Sequence, residues 1–288
     1  MGCDENQQDP SIIVMKFGGA SLATPEQFDS IAGLIVRRSK TVDKLVIVVS
    51  AMGKTTDDLI ALAHTVNATP PQREYDMLLS VGERISMSLL AMALAKKGVS
   101  ALSLTGSQSG IITCTTHREA RIVDIRPKRI ISALEKKHIV IVAGFQGVSL
   151  DGEITTLGRG GSDTSAVALG IALNAAVIEF YKDVPGFFTH DPKLYPDAEL
   201  LRELSYDTAL EVLEHGGRIL HPRAVLMAKR HNIPLAILPF DETPYLHLKD
   251  AHFGLQSRIY DAFRSREEEK TYERIHIDPS LQLLLSSS

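Results

Sequence analysis

Two glycine-rich segments hold the residue types that handle anions. In the first, Lys16-Phe17-Gly18-Gly19-Ala20-Ser21, an apolar run ends in a lysine and a glycine pair. Paired glycines let backbone N–H groups approach a phosphate, and a lysine at the loop's edge adds a mobile positive charge. A tight βα turn uses Gly-Gly pairs as well, so this segment alone does not decide the chemistry. The second segment is Thr155-Thr156-Leu157-Gly158-Arg159-Gly160-Gly161-Ser162-Asp163-Thr164-Ser165. A helix start among glycines suits an anion, and the Arg159 guanidinium is a fork for a carboxylate. Asp163 repels phosphate, so its place there is to hold a cation, either Mg²⁺ or a lysine. Neither segment is a Walker loop or a dinucleotide fingerprint, because the required glycine spacings are absent. Phosphate chemistry here calls for another nucleotide-binding architecture, with Lys16 and Asp163 as the catalytic pair.

The elements that must position these residues alternate between strand and helix. Ile12–Phe17 reads as a buried strand ending at the first glycine pair. Residues 25–40 have helical spacing (Phe28, Ile31, Leu34, Ile35), with Thr24 as N-cap and Pro25 at the first helical position. Residues 45–49 are apolar throughout and predict a central strand buried on both faces. A helix follows from about Thr56, and a long one over 78–97 closes at Gly98. Strands are expected at 99–104, 139–143, 175–181 and 235–238, the last clear one. Helices are expected at 127–137, at 162–173 with Ser162 as its cap, at 206–214 and at 222–231. A hairpin turns at Asp151-Gly152. The pattern predicts a three-layer α/β/α sandwich around a largely parallel sheet.

Composition narrows the class. At 288 residues, with 44% hydrophobic, the chain is long enough for a sizeable core. A net charge of -4 provides no basic footprint for nucleic acid. No apolar run reads as a membrane span. Cys3 and Cys114 are too few for a disulfide framework and lack metal-ligand spacing, which points to the cytoplasm. Asn6 stands where a myristoylation signal has Ser or Thr, so the Met1-Gly2-Cys3 start reads as plain chain. Residues 1–10 are polar and read as a disordered leader. The histidines have no clear metal spacing, and His221, before Pro222, reads as structural.

Taken in order, several motifs carry a resemblance. They are Lys16 to Ser21, Ser80-Val81-Gly82-Glu83, Gly144-Phe145-Gln146-Gly147, the 155–163 run, Asp183-Val184-Pro185-Gly186 and Leu220-His221-Pro222-Arg223. The string resembles the kinase domain of the aspartokinases, within the amino-acid kinase family, over roughly residues 12–240. The resemblance implies transfer of the γ-phosphoryl group of ATP, with Mg²⁺, to the β-carboxylate of L-aspartate. The product, 4-phospho-L-aspartate, opens the route to lysine, threonine and methionine. It also implies site residues: Thr56, Glu83, Arg159 and Ser162 for the amino acid, and Lys16, Gly18, Gly19, Ser21, Lys182, Asp183, Phe188, Lys193 and Arg218 for the nucleotide. The implied kinase domain spans 11–245, with the amino-acid lobe over 11–150 and the nucleotide lobe over 151–245.

Departures from the family pattern cluster in 182–193. Lys182 stands where the family has a hydroxyl, Phe188 replaces a tyrosine, and Lys193 replaces an arginine and loses its fork. Arg218 stands where many members carry lysine. Residues 246–288 form an extension too short for the paired ACT domains of typical aspartokinases, so inhibition by lysine or threonine is not expected of this chain. A homodimer through the kinase domain stays open. So do another small amino-acid acceptor and a non-catalytic binding role.

Overall fold

Runs of Val and Ile without polar alternation must be buried on both faces, and here they form the middle of a parallel sheet. The computed structural model describes residues 12–189, 198–215, 219–241 and 256–260. The chain runs β1 (Ile12–Phe17), α1 (Pro25–Arg38), β2 (Lys44–Val49), α2 (Thr55–Val66), α3 (Gln72–Leu79), α4 (Val81–Lys96) and β3 (Ala101–Leu104). It continues through β4 (Ile111–Thr113), β5 (Ile122–Ile125), α5 (Lys128–Glu135), β6 (Ile139–Ala143), β7 (Gln146–Ser149), β8 (Ile154–Thr156) and α6 (Gly161–Ala172). The last part has β9 (Val177–Lys182), β10 (Phe187–Phe188), β11 (Leu200–Leu201), β12 (Glu203–Leu204), α7 (Tyr206–Glu214), α8 (Pro222–His231), β13 (Leu235–Pro239) and β14 (Ser257–Ile259).

The main sheet has the order β12-β14-β13-β9-β1-β2-β6-β3, parallel except where β14 runs against β13. Its two faces sort by the period of two. Val14, Val46, Val48, Val142, Ile178 and Phe180 pack under α5, α6, α7 and α8. Ile13, Met15, Phe17, Ile47, Val49 and Tyr181 pack under α1 and α4. This is the expected α/β/α sandwich. A smaller four-stranded sheet, β5-β4-β7-β8, sits beside it.

Local chemistry accounts for the boundaries. Thr24 and Gln27 form a capping box at the start of α1. Gly98, at φ 74, ends α4 in a Schellman turn, with Gly98 N donating to the Ala95 carbonyl and Val99 N to that of Leu94. Several expectations are corrected. The helix expected over 78–97 is α4 and starts later, at Val81; a separate helix, α3, precedes it and ends before Ser80, whose carbonyl accepts from Gln146 Nε2 at 2.7 Å. Ser162 is not the cap of α6; Gly160, in the left-handed region, holds that place. Strand β13 is not the last, since β14 pairs with it. By length and composition Gln72–Lys96 would pass as a membrane span, against the sequence reading. Its fully buried Asp76 and nearly buried Glu83 instead mark a helix pair packed into the protein core. The expected leader, 1–10, lies outside the described residues, as does all of 246–288 apart from 256–260.

Candidate active site

Parallel open sheets bind ligands beyond the carboxyl ends of their strands, where the chain's winding reverses. Strand β1 is such a point, flanked by β2 on one side and β9 on the other. Lys16 lies near the carboxyl end of β1, opposite Phe180 and Val48. Lys182 ends β9, two residues past Phe180 and so on the same face. Asp163 comes down from the first turn of α6. Lys16 Nζ is 2.6 Å from Asp163 Oδ1, and Lys182 Nζ is 3.7 Å from Oδ2. Burial works to raise the Asp163 carboxyl, but the charges of Lys16 and Lys182 prevail and hold it at about 2. Asp163 is therefore ionised at neutral pH and is held by lysines, one of the two options open from sequence.

Glycines set this geometry where side chains would collide. A Cβ on Gly18 would sit 3.6 Å from Lys16 Nζ, so the loop lies directly over the ammonium. A Cβ on Gly160, at φ 71, would fall 2.2 Å from His221 Cγ. The 220–223 motif thus braces the 155–165 run. His221 N donates to Asp163 Oδ2 at 3.4 Å, Arg223 Nη1 donates to the Leu157 carbonyl, and His221 Nδ1 caps α8 by accepting from Arg223 N. His221 is structural, as the sequence suggested, and burial lowers its pKa.

A second cluster forms around Glu83. A Cβ on Gly82 would lie 2.8 Å from Ala51 Cβ, so only glycine lets α4 approach the 50–56 loop closely enough for Glu83 Oε1 to accept from Ala51 N at 3.0 Å. Glu83 Oε2 is buried and has no hydrogen-bond partner among the described residues. Burial pushes this carboxyl up to about 8, against the pull of the Ala51 N–H and the Lys16 charge. At neutral pH the carboxyl is therefore mostly protonated, and a cation brought beside it would favour its ionised form. Thr56 stands half-buried in the first turn of α2. Ser162 is nearly buried beside Asp163, and Arg159 is exposed between Gly158 and Gly160.

The structure distributes the remaining predicted residues unevenly. Ser21 faces inward and its hydroxyl donates to the Gly18 carbonyl at 2.8 Å, closing the turn. The Gly19 carbonyl accepts from Gly53 N, tying the first glycine loop to the 50–56 loop. Asp183 is exposed beside Lys182, and Phe188 lies half-buried in β10. Lys193 and Arg218 fall outside the described residues. Sequence reasoning missed Asp76. Its carboxylate accepts from Arg118 N, Thr156 N and Thr156 Oγ1 and bonds to His117 Nδ1, and so pins the 117–118 turn on which Gly158 rests. The available signal was an acid inside the apolar stripe of Tyr75 and Leu79. Among the described residues, no three His, Cys, Asp or Glu side chains converge where a metal could sit.

An ion-paired lysine under a glycine loop thus stands at the switch point of the parallel sheet of an α/β protein. The chain belongs to the amino acid kinase family, whose sequence profile matches residues 11–239. It is similar to the aspartokinase of Geobacillus stearothermophilus, 51% identical over 226 residues, covering 78% of this chain and 56% of that protein. It is also similar to the crystal structure of aspartate kinase from Synechocystis, 42% identical with a TM-score of 0.73, covering 88% of this chain and 41% of that one. The structure of E. coli aspartokinase III in complex with aspartate and ADP matches with a TM-score of 0.75 at 25% identity, covering 88% of this chain and 65% of that one. The chain spans about half the length of the curated relatives it matches.

Proposed function

We propose that this chain transfers the γ-phosphoryl group of MgATP to the β-carboxylate of L-aspartate, giving 4-phospho-L-aspartate and ADP. The observation that carries the reading is a buried, ion-paired lysine together with a buried carboxyl that has an unsatisfied oxygen. Lys16, held by Asp163, seeks an anion, and Glu83, with an unpartnered oxygen, seeks a cation. A free amino acid with an acid side chain meets both. Its ammonium draws Glu83 into the ionised form, its α-carboxylate suits the Arg159 fork, and its side-chain carboxylate points toward the phosphate held at Lys16. The aspartate and ADP bound by the E. coli relative support the same substrate pair.

The acceptor carboxylate is already ionised at pH 7, so no general base is needed. Its oxygen attacks the γ-phosphorus, the bond to the bridging oxygen breaks, and ADP leaves with those electrons; no proton moves. The site's work is to hold two anions in line and to match the charge on the transferring group. Mg²⁺ enters on the β- and γ-phosphates as part of the nucleotide substrate. Lys16 faces the transferring oxygens, and Asp163, 2.6 Å away, keeps its ammonium aimed. The same reading places the enzyme in the cytoplasm, where MgATP and aspartate are found.

The test uses MgATP, a panel of amino acids and hydroxylamine to trap acyl phosphate. Aspartate-dependent hydroxamate is the expected result, and Lys16→Ala should abolish it while the fold is retained. Hydroxamate only with another acid, or none at all, would overturn the aspartokinase reading.

A further inference from the structure

Lys16 and Asp163 balance each other, and Lys182 adds a second positive charge beside them. The two ammonium groups address different oxygens of one carboxylate, at 2.6 and 3.7 Å. The Lys182 side chain is only 18% exposed, and its Nζ also lies 6.0 Å from the centroid of the Phe180 ring. Asp183 attracts it too, but Asp183 is exposed and its charge is screened by water. Among the described residues two ammonium groups thus share the one buried carboxylate of Asp163, an arrangement that favours an arriving anion. The family pattern has a hydroxyl at this position, able to donate a hydrogen bond but not a charge.

We propose that Lys182 is a catalytic residue whose ammonium grips the nucleotide's phosphate chain beside Lys16, with Asp163 spacing the two ammonium groups as one clamp. The proposal deepens the phosphotransferase reading and rests on it. Two cations, one from each of two adjacent strand ends, straddle the oxygens that share charge as the phosphoryl group moves. Lys182 forms no covalent bond and transfers no proton. Burial, with repulsion from Lys16, lowers its pKa to about 8 against the attraction of Asp163 and Asp183. The clamp is therefore fully charged below that pH and fails above it. Glu83 also titrates near pH 8 but is needed ionised, so it acts on the acid side.

The experiment compares the wild-type chain with Lys182→Met and Lys182→Arg. Hydroxamate turnover with MgATP and aspartate is measured from pH 6 to 10, and calorimetry measures binding of MgATP and of AMP. Lys182→Met should lower kcat by roughly 10²-fold, the usual effect of losing one donor to developing charge, with the aspartate KM changed less than about twofold. It should also weaken MgATP and leave AMP unchanged, and the alkaline limb of kcat/KM should disappear. Lys182→Arg, charged at every pH, should restore most of kcat without that limb. Wild-type kcat and MgATP affinity in Lys182→Met would overturn the proposal. If Lys182→Met does not fold, a limb near pH 8 persisting in Lys182→Arg would overturn it, and its loss would support it. Should the wild-type chain phosphorylate no amino acid, the aspartokinase reading fails, while the MgATP-against-AMP comparison still decides the clamp.

Discussion

Replacing Asp163 with asparagine keeps the shape of the side chain and removes the charge that two buried lysines share. Breaking a buried ion pair by deleting one partner costs about 3–5 kcal/mol, because the remaining charge is stranded. Part of that is avoidable here. Lys182 has a pKa of about 8 even with Asp163 ionised, so neutralising it at pH 7 costs only about 1.4 kcal/mol. Lys16, at 5% exposure, stays as the stranded charge. The expected loss for Asp163→Asn is therefore at the lower end, about 3 kcal/mol, or about 6 °C in Tm for a domain of this size. The gap between wild type and variant should narrow above pH 8. There the wild-type Lys182 has lost its proton and no longer gains from Asp163. Urea denaturation followed by circular dichroism at pH 7 and pH 9 measures both quantities. A variant within about 0.5 kcal/mol of wild type at pH 7, the ordinary scatter of surface changes, would refute the view that these ammonium groups depend on the carboxylate.

Glu83, raised to about 8 from an ordinary 4.5, should make the ligand-free protein lose about 1.4 kcal/mol of stability per pH unit between those values, since the unfolded carboxyl ionises there and the folded one does not. Urea titrations at pH 6 and 7.5 should show that slope, and Glu83→Gln should flatten it while raising the aspartate KM. Gly160→Ala places a methyl group into His221 and should cost about 3 kcal/mol or more. Gly152→Ala, also at positive φ but in open space, should cost only about 1 kcal/mol, a contrast that thermal melts resolve. Glu179, buried in β9, accepts from Arg38 Nη2 at 2.6 Å and from the Tyr181 hydroxyl at 2.9 Å. Glu179→Gln should destabilise the fold by about 2 kcal/mol, less than a fully buried pair because Arg38 is partly exposed. It should leave kcat near wild type, because Glu179 lies on the sheet face opposite Lys16.

Helices α7 and α8 were legible to the residue because their signals are local. Ser205 accepts from Thr208 N at the start of α7, and Pro222 follows the capping His221 at the start of α8. The sheet's middle strands were legible because unbroken Val and Ile runs have few other uses. Strands β4 and β5 have three and four residues, too short for a period of two to show. The break at Ser80 depends on Gln146, distant in sequence, and no local residue announces it. The cap at Gly160 displaced the expected one because a left-handed residue there serves the contact with His221. Within the site, the pairing of Asp163 with a lysine was legible because an acid among glycines needs a cation beside it. That Glu83 is buried, and that Asp76 holds the neighbouring turn, depends on helix packing that a linear pattern does not carry.

The contact between Gly160 and His221 also limits how this chain can diverge. Any side chain at 160 requires the imidazole to move, and moving it removes the cap that its Nδ1 gives α8. Two stretches some sixty residues apart therefore have few independent substitutions open to them. A change at 160 is therefore strained unless position 221 changes with it.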